Sequence, residues 1–114
     1  MVKAASYVPA RGDIVWLQFT PHAGHEQAGR RPAVVVSPLE YNQKVGLCLC
    51  CPVTSRVKGY PFEVELPSGL EIAGAVLCDQ VKSLDWKARR ASLIVALPAL
   101  LIREVQARII ALIQ

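Results

Sequence analysis

The chain has 114 residues, 53% of them hydrophobic and 19% charged, with a net charge of +4 and a pI near 9.1. This composition excludes a disordered chain, and a length of that order fits one domain, 1–114, built on a single core. No apolar run approaches the roughly 20 residues of a membrane-spanning helix, and the mild basic excess suits a polyanionic partner. Residues 1–10 read as a loose lead-in. Ile14 to Phe19 is rich in β-formers and predicts a strand. Thr20 to Arg30 is polar, carries two glycines and reads as a loop. Ala33 to Ser37 is a continuous, mostly β-branched run, the pattern of a buried strand. Pro38 to Lys44 predicts a helical turn, with Ser37 as its cap and Pro38 at its first position. Leu47 to Val53 is another apolar strand, and Thr54 to Tyr60 a basic loop.

Phe62, Val64 and Leu66 alternate with Glu63 and Glu65, which predicts a strand with one face in solvent. Pro67-Ser68-Gly69 is a turn. Ala73 to Val81 reads as a strand, Asp85 to Arg89 as a short helical turn, and Ser92 to Leu97 as a last strand. Pro98 opens the one clear helix, in which Leu101, Val105, Arg108 and Leu112 recur at near-helical spacing. Short strands, tight turns and a terminal helix predict a mainly β fold with appended helices, a small and partly open barrel.

Cys48, Cys50, Cys51 and Cys78 are the four cysteines, and the first three stand too close together for ordinary disulfides. Their spacing is not that of a zinc site, and no metal or cofactor is called for. They read as small buried hydrophobes. With no apolar signal segment at the N-terminus, the expected compartment is the cytoplasm, with no membrane association.

The densest chemistry lies between His22 and Thr54. Gly24 to Pro32 gathers an imidazole (His25), a carboxylate (Glu26), an amide (Gln27) and two guanidiniums (Arg30, Arg31) in one loop that runs into a buried strand. Beyond the next strand, Thr54-Ser55-Arg56 sets two hydroxyls and a cation at a strand end, groups suited to a phosphate. Arg30–Arg31, Arg56–Lys58 and Arg89–Arg90 are three small basic clusters whose meeting in space the sequence leaves open. Trp16 reads as core. Phe19, near the mouth of the loop, is open to core packing or to stacking on a base.

Five motifs carry a resemblance: Gly12-Asp13-Ile14-Val15-Trp16, the stretch from Gly24 to Val35, Pro52-Val53-Thr54-Ser55, Lys58-Gly59-Tyr60-Pro61-Phe62, and Cys78-Asp79-Gln80-Val81-Lys82-Ser83. From Tyr7 onward the chain resembles the MazF/PemK family of ribosome-independent mRNA-cutting toxins. That resemblance implies a small SH3-like barrel of the CcdB/PemK kind with a C-terminal helix. It also implies a homodimer, sequence-specific cutting of single-stranded RNA, and inhibition by a short MazE-like antitoxin, the pair forming a type II toxin–antitoxin system.

RNA carries its own nucleophile in the 2′-OH, so such cutting needs no metal; the expected ends are a 2′,3′-cyclic phosphate and a 5′-OH. Arg31 matches the arginine of the family's EQxGxRP motif and is the first choice to bind the phosphate, its acid or base work left open. Thr54 matches a residue that contacts the scissile phosphate, with Ser55 beside it. Glu26 is the candidate general base, or else it reads a base edge, and His25 is the rival base; some relatives carry serine at the position of His25. Phe19, Gln27, Ser55, Arg56, Lys58, Asp79, Gln80 and Lys82 are the expected RNA-binding residues. Where some relatives place an arginine two residues before the aspartate, this chain has Leu77. A toxin that binds DNA gyrase without catalysis shares the fold and is the alternative; the cluster of Glu26, Arg31 and Thr54 favours the nuclease.

Overall fold

The computed structural model describes residues 7–19 and 29–114. Seven antiparallel strands carry the fold: β1 (Asp13–Phe19), β2 (Gly29–Val35), β3 (Cys48–Thr54), β4 (Glu63–Glu65), β5 (Ala75–Leu77), β6 (Lys82–Leu84) and β7 (Ser92–Ala96). Helix α1 (Leu39–Val45) joins β2 to β3, and α2 (Ala99–Ile113) closes the chain. The sheet runs in the order β4-β5-β3-β2-β1-β7, with β6 paired to β3 beside this path. No ladder joins β7 to β4 among the described residues, so the sheet is open rather than a closed barrel.

Side-chain alternation splits the apolar runs between two cores. Ile14, Val34 and Cys51 enter one cluster, which Ile102 and Val105 of α2 cover. Their neighbours Val15, Leu17, Val35, Cys48 and Cys50 enter the second, closed by Trp86. A strand buried on both faces reads as a continuous apolar run, which is why β2 and β3 are recognisable without alternation. All four cysteines are buried free thiols. Burial pushes Cys51 up to about 12 and Cys78 up to about 11. Among the described residues, no helix is long and apolar enough to cross a membrane.

A buried polar network pins α1. Ser37 Oγ donates to Asn42 Oδ1 at 2.5 Å, and Asn42 Nδ2 donates to the Pro9 and Ser37 carbonyls at 2.8 and 3.1 Å. The Asn42 carbonyl receives Trp86 Nε1 at 2.9 Å. Pro38, not Ser37, holds the N-cap position, and no side chain caps the helix there; Ser37 spends its hydroxyl inside the core instead.

Two sequence expectations are corrected. The strand expected to keep both glutamates in solvent exposes Glu65 but buries Glu63, because loop residues 58–60 fold over it (below). The long strand expected over Ala73 to Val81 is only β5, followed by a 3-10 turn (Cys78–Gln80) and the short β6. The turn lets the chain pair with β3 twice: β5 with Val53–Thr54, β6 with Cys48–Cys50.

Candidate active site

The hairpin of β1 and β2 is paired along its whole length, from Ile14–Val34 to Phe19–Gly29. On the other edge of β2 the ladder to β3 covers only Val35–Cys50, Val34–Cys51 and Ala33–Pro52. The next rung would need an N–H from Pro32 to β3, and proline has none, so the ladder ends at Ala33–Pro52. Beyond that point β3 turns to β5 and β2 stays with β1. The gap between them is a cleft of about 350 Å³, walled by Arg30, Arg31 and Pro32 on one side, Val53 and Ser55 on the other, and Glu71, Ile72 and Ala73 below. Arg31 is exposed here.

A second, smaller cleft of about 160 Å³ lies on the far side of the β3 terminus, lined by Thr54, Arg56, Lys58, Tyr60, Glu63, Leu77 and Gln80. Thr54 and Ser55 are consecutive, so their side chains alternate, and the two clefts meet across the end of β3. Thr54 Oγ1 accepts the Arg56 N–H at 3.1 Å, a hydroxyl-stabilised turn that starts the basic loop. The sequence candidates thus divide. Arg31 and Ser55 face the first cleft, and Thr54, Arg56, Lys58 and Gln80 the second.

Asp79 is exposed in the 3-10 turn and Lys82 exposed on β6, and neither lines these two clefts. Phe19 is half-buried, packed against the second core at the end of β1. Trp16 is half-buried; the tryptophan of the core is Trp86, 5% exposed. His25, Glu26 and Gln27 lie outside the described residues.

The paired arginines have different work. Arg30 reaches across β1, where its Nη2 donates to the Arg90 carbonyl and to Ser92 Oγ, both at 2.7 Å. Arg89 Nη1 donates to the Gln18 carbonyl at 3.2 Å. Two of the three basic clusters therefore meet, but they meet as struts between β1, β2 and the turn before β7.

Sequence reasoning missed Glu71, Ile72 and Ala73, which sit in an unremarkable stretch after the Pro-Ser-Gly turn. It also missed Gly74 and Glu63. Gly74 has φ +128 and passes against the Thr54 backbone, and a glycine before a strand is a visible but unspecific hint of such an approach.

The family described as PemK-like, MazF-like toxin of type II toxin–antitoxin systems matches residues 10–113. The chain belongs to this family. It is 59% identical over 86 residues to the endoribonuclease toxin MazF of Escherichia coli (strain K12), an alignment covering 75% of this chain and 77% of that protein. It is 35% identical over 104 residues to the endoribonuclease PemK of Escherichia coli, covering 87% and 77%. Its fold superposes on MazE–MazF from Deinococcus radiodurans with a TM-score of 0.90 and 55% identity, over 95% of this chain and 97% of that one. MazF and PemK are thus its relatives in sequence, and a MazF chain its relative in fold.

Proposed function

We propose that the chain is a single toxin domain, 1–114, that cuts single-stranded RNA without a metal and is held inactive by a MazE-like antitoxin. Family membership supports the endoribonuclease activity. The observation that carries the reaction site is the divergence of β2 from β3, which leaves Arg31 and the Thr54–Ser55 hydroxyls around one strand end.

The reaction is an internal transfer. A base takes the 2′ proton, the 2′ oxygen bonds to phosphorus, the bond to the 5′ oxygen breaks, and an acid protonates the departing 5′ oxygen. Arg31 offers its planar fork to the non-bridging oxygens, where charge grows as the phosphorane forms. Thr54 and Ser55 add hydroxyl donors without adding charge. Glu26 or His25 takes the 2′ proton. Arg56 and Lys58 hold flanking phosphates, and Gln80 offers a donor and an acceptor to a base edge. Phe19, Gln27, Asp79 and Lys82 complete the proposed RNA contacts; Asp79 and Lys82 stand on the segment that carries Gln80, just outside the two clefts.

The protein works in the cytoplasm as a homodimer, a reading that the exposed Leu93, Leu100, Ile110, Leu112 and Ile113 support. The test is incubation of the protein in EDTA with a long single-stranded RNA and the matching DNA, beside Arg31→Ala. The expected result is RNA cut at a few short sequences, with cyclic-phosphate and 5′-OH ends, intact DNA, and a far slower variant. Intact RNA together with growth arrest in cells would overturn the nuclease in favour of a gyrase-binding toxin.

A further inference from the structure

Glu63 is the first residue of β4, paired with Leu77, and is only 9% exposed. One carboxylate oxygen, Oε1, accepts two consecutive backbone N–H groups: that of Lys58 at 2.9 Å and that of Gly59 at 2.7 Å. Gly59 has φ +79, a conformation that L side chains resist and that turns successive N–H groups toward one anion. The Glu63 N–H in turn donates to the Tyr60 carbonyl at 3.0 Å. The loop is braced from outside as well, since the Arg108 guanidinium on α2 donates to the Pro61 carbonyl and to Glu104, the latter at 2.7 Å.

The chain from Thr54 to Glu63 is therefore closed at both ends, by the Thr54 hydroxyl on Arg56 and by the Glu63 carboxylate on Lys58 and Gly59. Between these two ties stand Arg56 and Lys58, the cations of the second cleft.

We propose that Glu63 is a positioning residue for RNA: its carboxylate clamps the Lys58–Gly59 backbone and so presents Arg56 and Lys58 to the strand on the far side of Thr54. The proposal rests on the nuclease reading for its ligand. A loop ordered before binding does not pay its ordering cost during binding. The clamp touches neither the 2′ oxygen nor the leaving group, so it strengthens substrate and transition state alike. Its loss raises KM and leaves kcat. Both N–H groups converge on one oxygen, so a glutamine amide oxygen can stand in for it, whereas a leucine leaves two donors unpaired.

The experiment compares wild type, Glu63→Gln and Glu63→Leu in three ways. These are steady-state cleavage, anisotropy binding to a single-stranded RNA with 2′-fluoro in place of its 2′-hydroxyls, and amide exchange at Lys58 and Gly59. In Glu63→Leu, KM and the 2′-fluoro RNA Kd rise about tenfold, kcat stays within about threefold, and both amides lose protection. Glu63→Gln stays within about threefold of wild type throughout.

Unchanged RNA binding in Glu63→Leu overturns the proposal. So does a fall in kcat at constant Kd, which would make Glu63 part of the chemistry, or a Glu63→Gln as impaired as Glu63→Leu, which would make its charge the cause. If Glu63→Leu does not fold, the other two proteins decide: unprotected amides in wild type, or an impaired Glu63→Gln, overturn it. A wild type that binds the 2′-fluoro RNA but cuts no RNA sinks the nuclease reading and leaves the binding comparison to decide this one.

Discussion

A β-carbon on Gly74 would lie 2.1 Å from the Thr54 carbonyl oxygen and 3.0 Å from its carbonyl carbon. Both contacts are to backbone, so neither can be relieved by turning a side chain. Gly74 is held in place by its own carbonyl, which accepts the Leu66 N–H at 2.8 Å. The glycine therefore sets where the end of β3 lies, and with it the Thr54 hydroxyl between the two clefts.

Gly74→Ala should both destabilise and inactivate. The strained φ and the overlap together cost about 2–3 kcal/mol, a fall of roughly 10 °C or more in a domain of this size. Displacement of Thr54 by about 1 Å costs on the order of 10²-fold in cleavage. Thermal unfolding and RNA cleavage below the variant's Tm measure the two effects. A wild-type Tm with wild-type cleavage would remove Gly74 from this role.

Arg30 and Arg31 should separate cleanly. Arg31→Ala slows cleavage by about 10²–10³, the usual cost of one preorganised charge-stabilising donor. Arg30→Ala loses exposed hydrogen bonds to the Arg90 carbonyl and Ser92 Oγ, worth about 1 kcal/mol in total after screening by solvent. It should lower Tm by a few degrees with a much smaller effect on rate. Side-by-side kinetics and calorimetry decide; equal losses of rate in the two variants would show that both arginines face the substrate.

Asn42 is fully buried and serves five hydrogen bonds through its side chain and carbonyl, one of them from the Gly46 N–H. Asn42→Leu takes the side-chain donor from the Pro9 and Ser37 carbonyls and the acceptor from the Ser37 hydroxyl proton, at a cost of about 2–4 kcal/mol. Denaturant unfolding should show the loss, while activity per folded molecule stays near wild type because α1 carries none of the cleft residues. A midpoint shift of less than about 0.5 kcal/mol would contradict the network's role.

The buried thiols give the fold an alkaline limit. Burial lifts Cys51 from 9.0 to about 12 and Cys78 from 9.0 to about 11, the Arg108 charge opposing the rise at Cys78. A raised folded-state value favours the neutral thiol, so this stabilisation is complete below pH 9 and is lost as pH climbs from 9 toward 12. Denaturant unfolding at pH 8 and pH 10 should show a fall in stability that is shallower in Cys51→Ala/Cys78→Ala, and the native thiols should resist iodoacetamide at pH 8. Rapid labelling of the folded protein at that pH, or identical slopes in the two proteins, would count against it.

How much of this protein is legible in its residues depends on how local each cause is. The β-formers of Ile14–Phe19 and the apolar run Ala33–Val35 determine strands by themselves, the latter because a strand buried on both faces is apolar throughout. Pro98 and the spacing from Leu101 to Leu112 determine α2. The EQxGxRP motif and Pro52-Val53-Thr54-Ser55 point to the reaction, and each of these signals lies within a few consecutive residues.

Other features were settled only when the chain folded back on itself. Alternation predicts that Glu63 faces water, but the loop at Lys58–Gly59 brings two N–H groups that need an acceptor, and the carboxylate turns inward to meet them. Arg30 and Arg31 are neighbours in sequence and both border the first cleft, but the Arg30 guanidinium is tied across β1 to the Arg90 carbonyl and Ser92. Lys82–Leu84 carries no strong strand signal; it becomes β6 because the 3-10 turn delivers it to the free edge of Cys48–Cys50. Gly74 looks like any glycine before a strand until Thr54 passes against it. Composition and periodicity specify which backbone shapes a segment favours; which groups then face one another is decided by contacts between residues far apart in the chain.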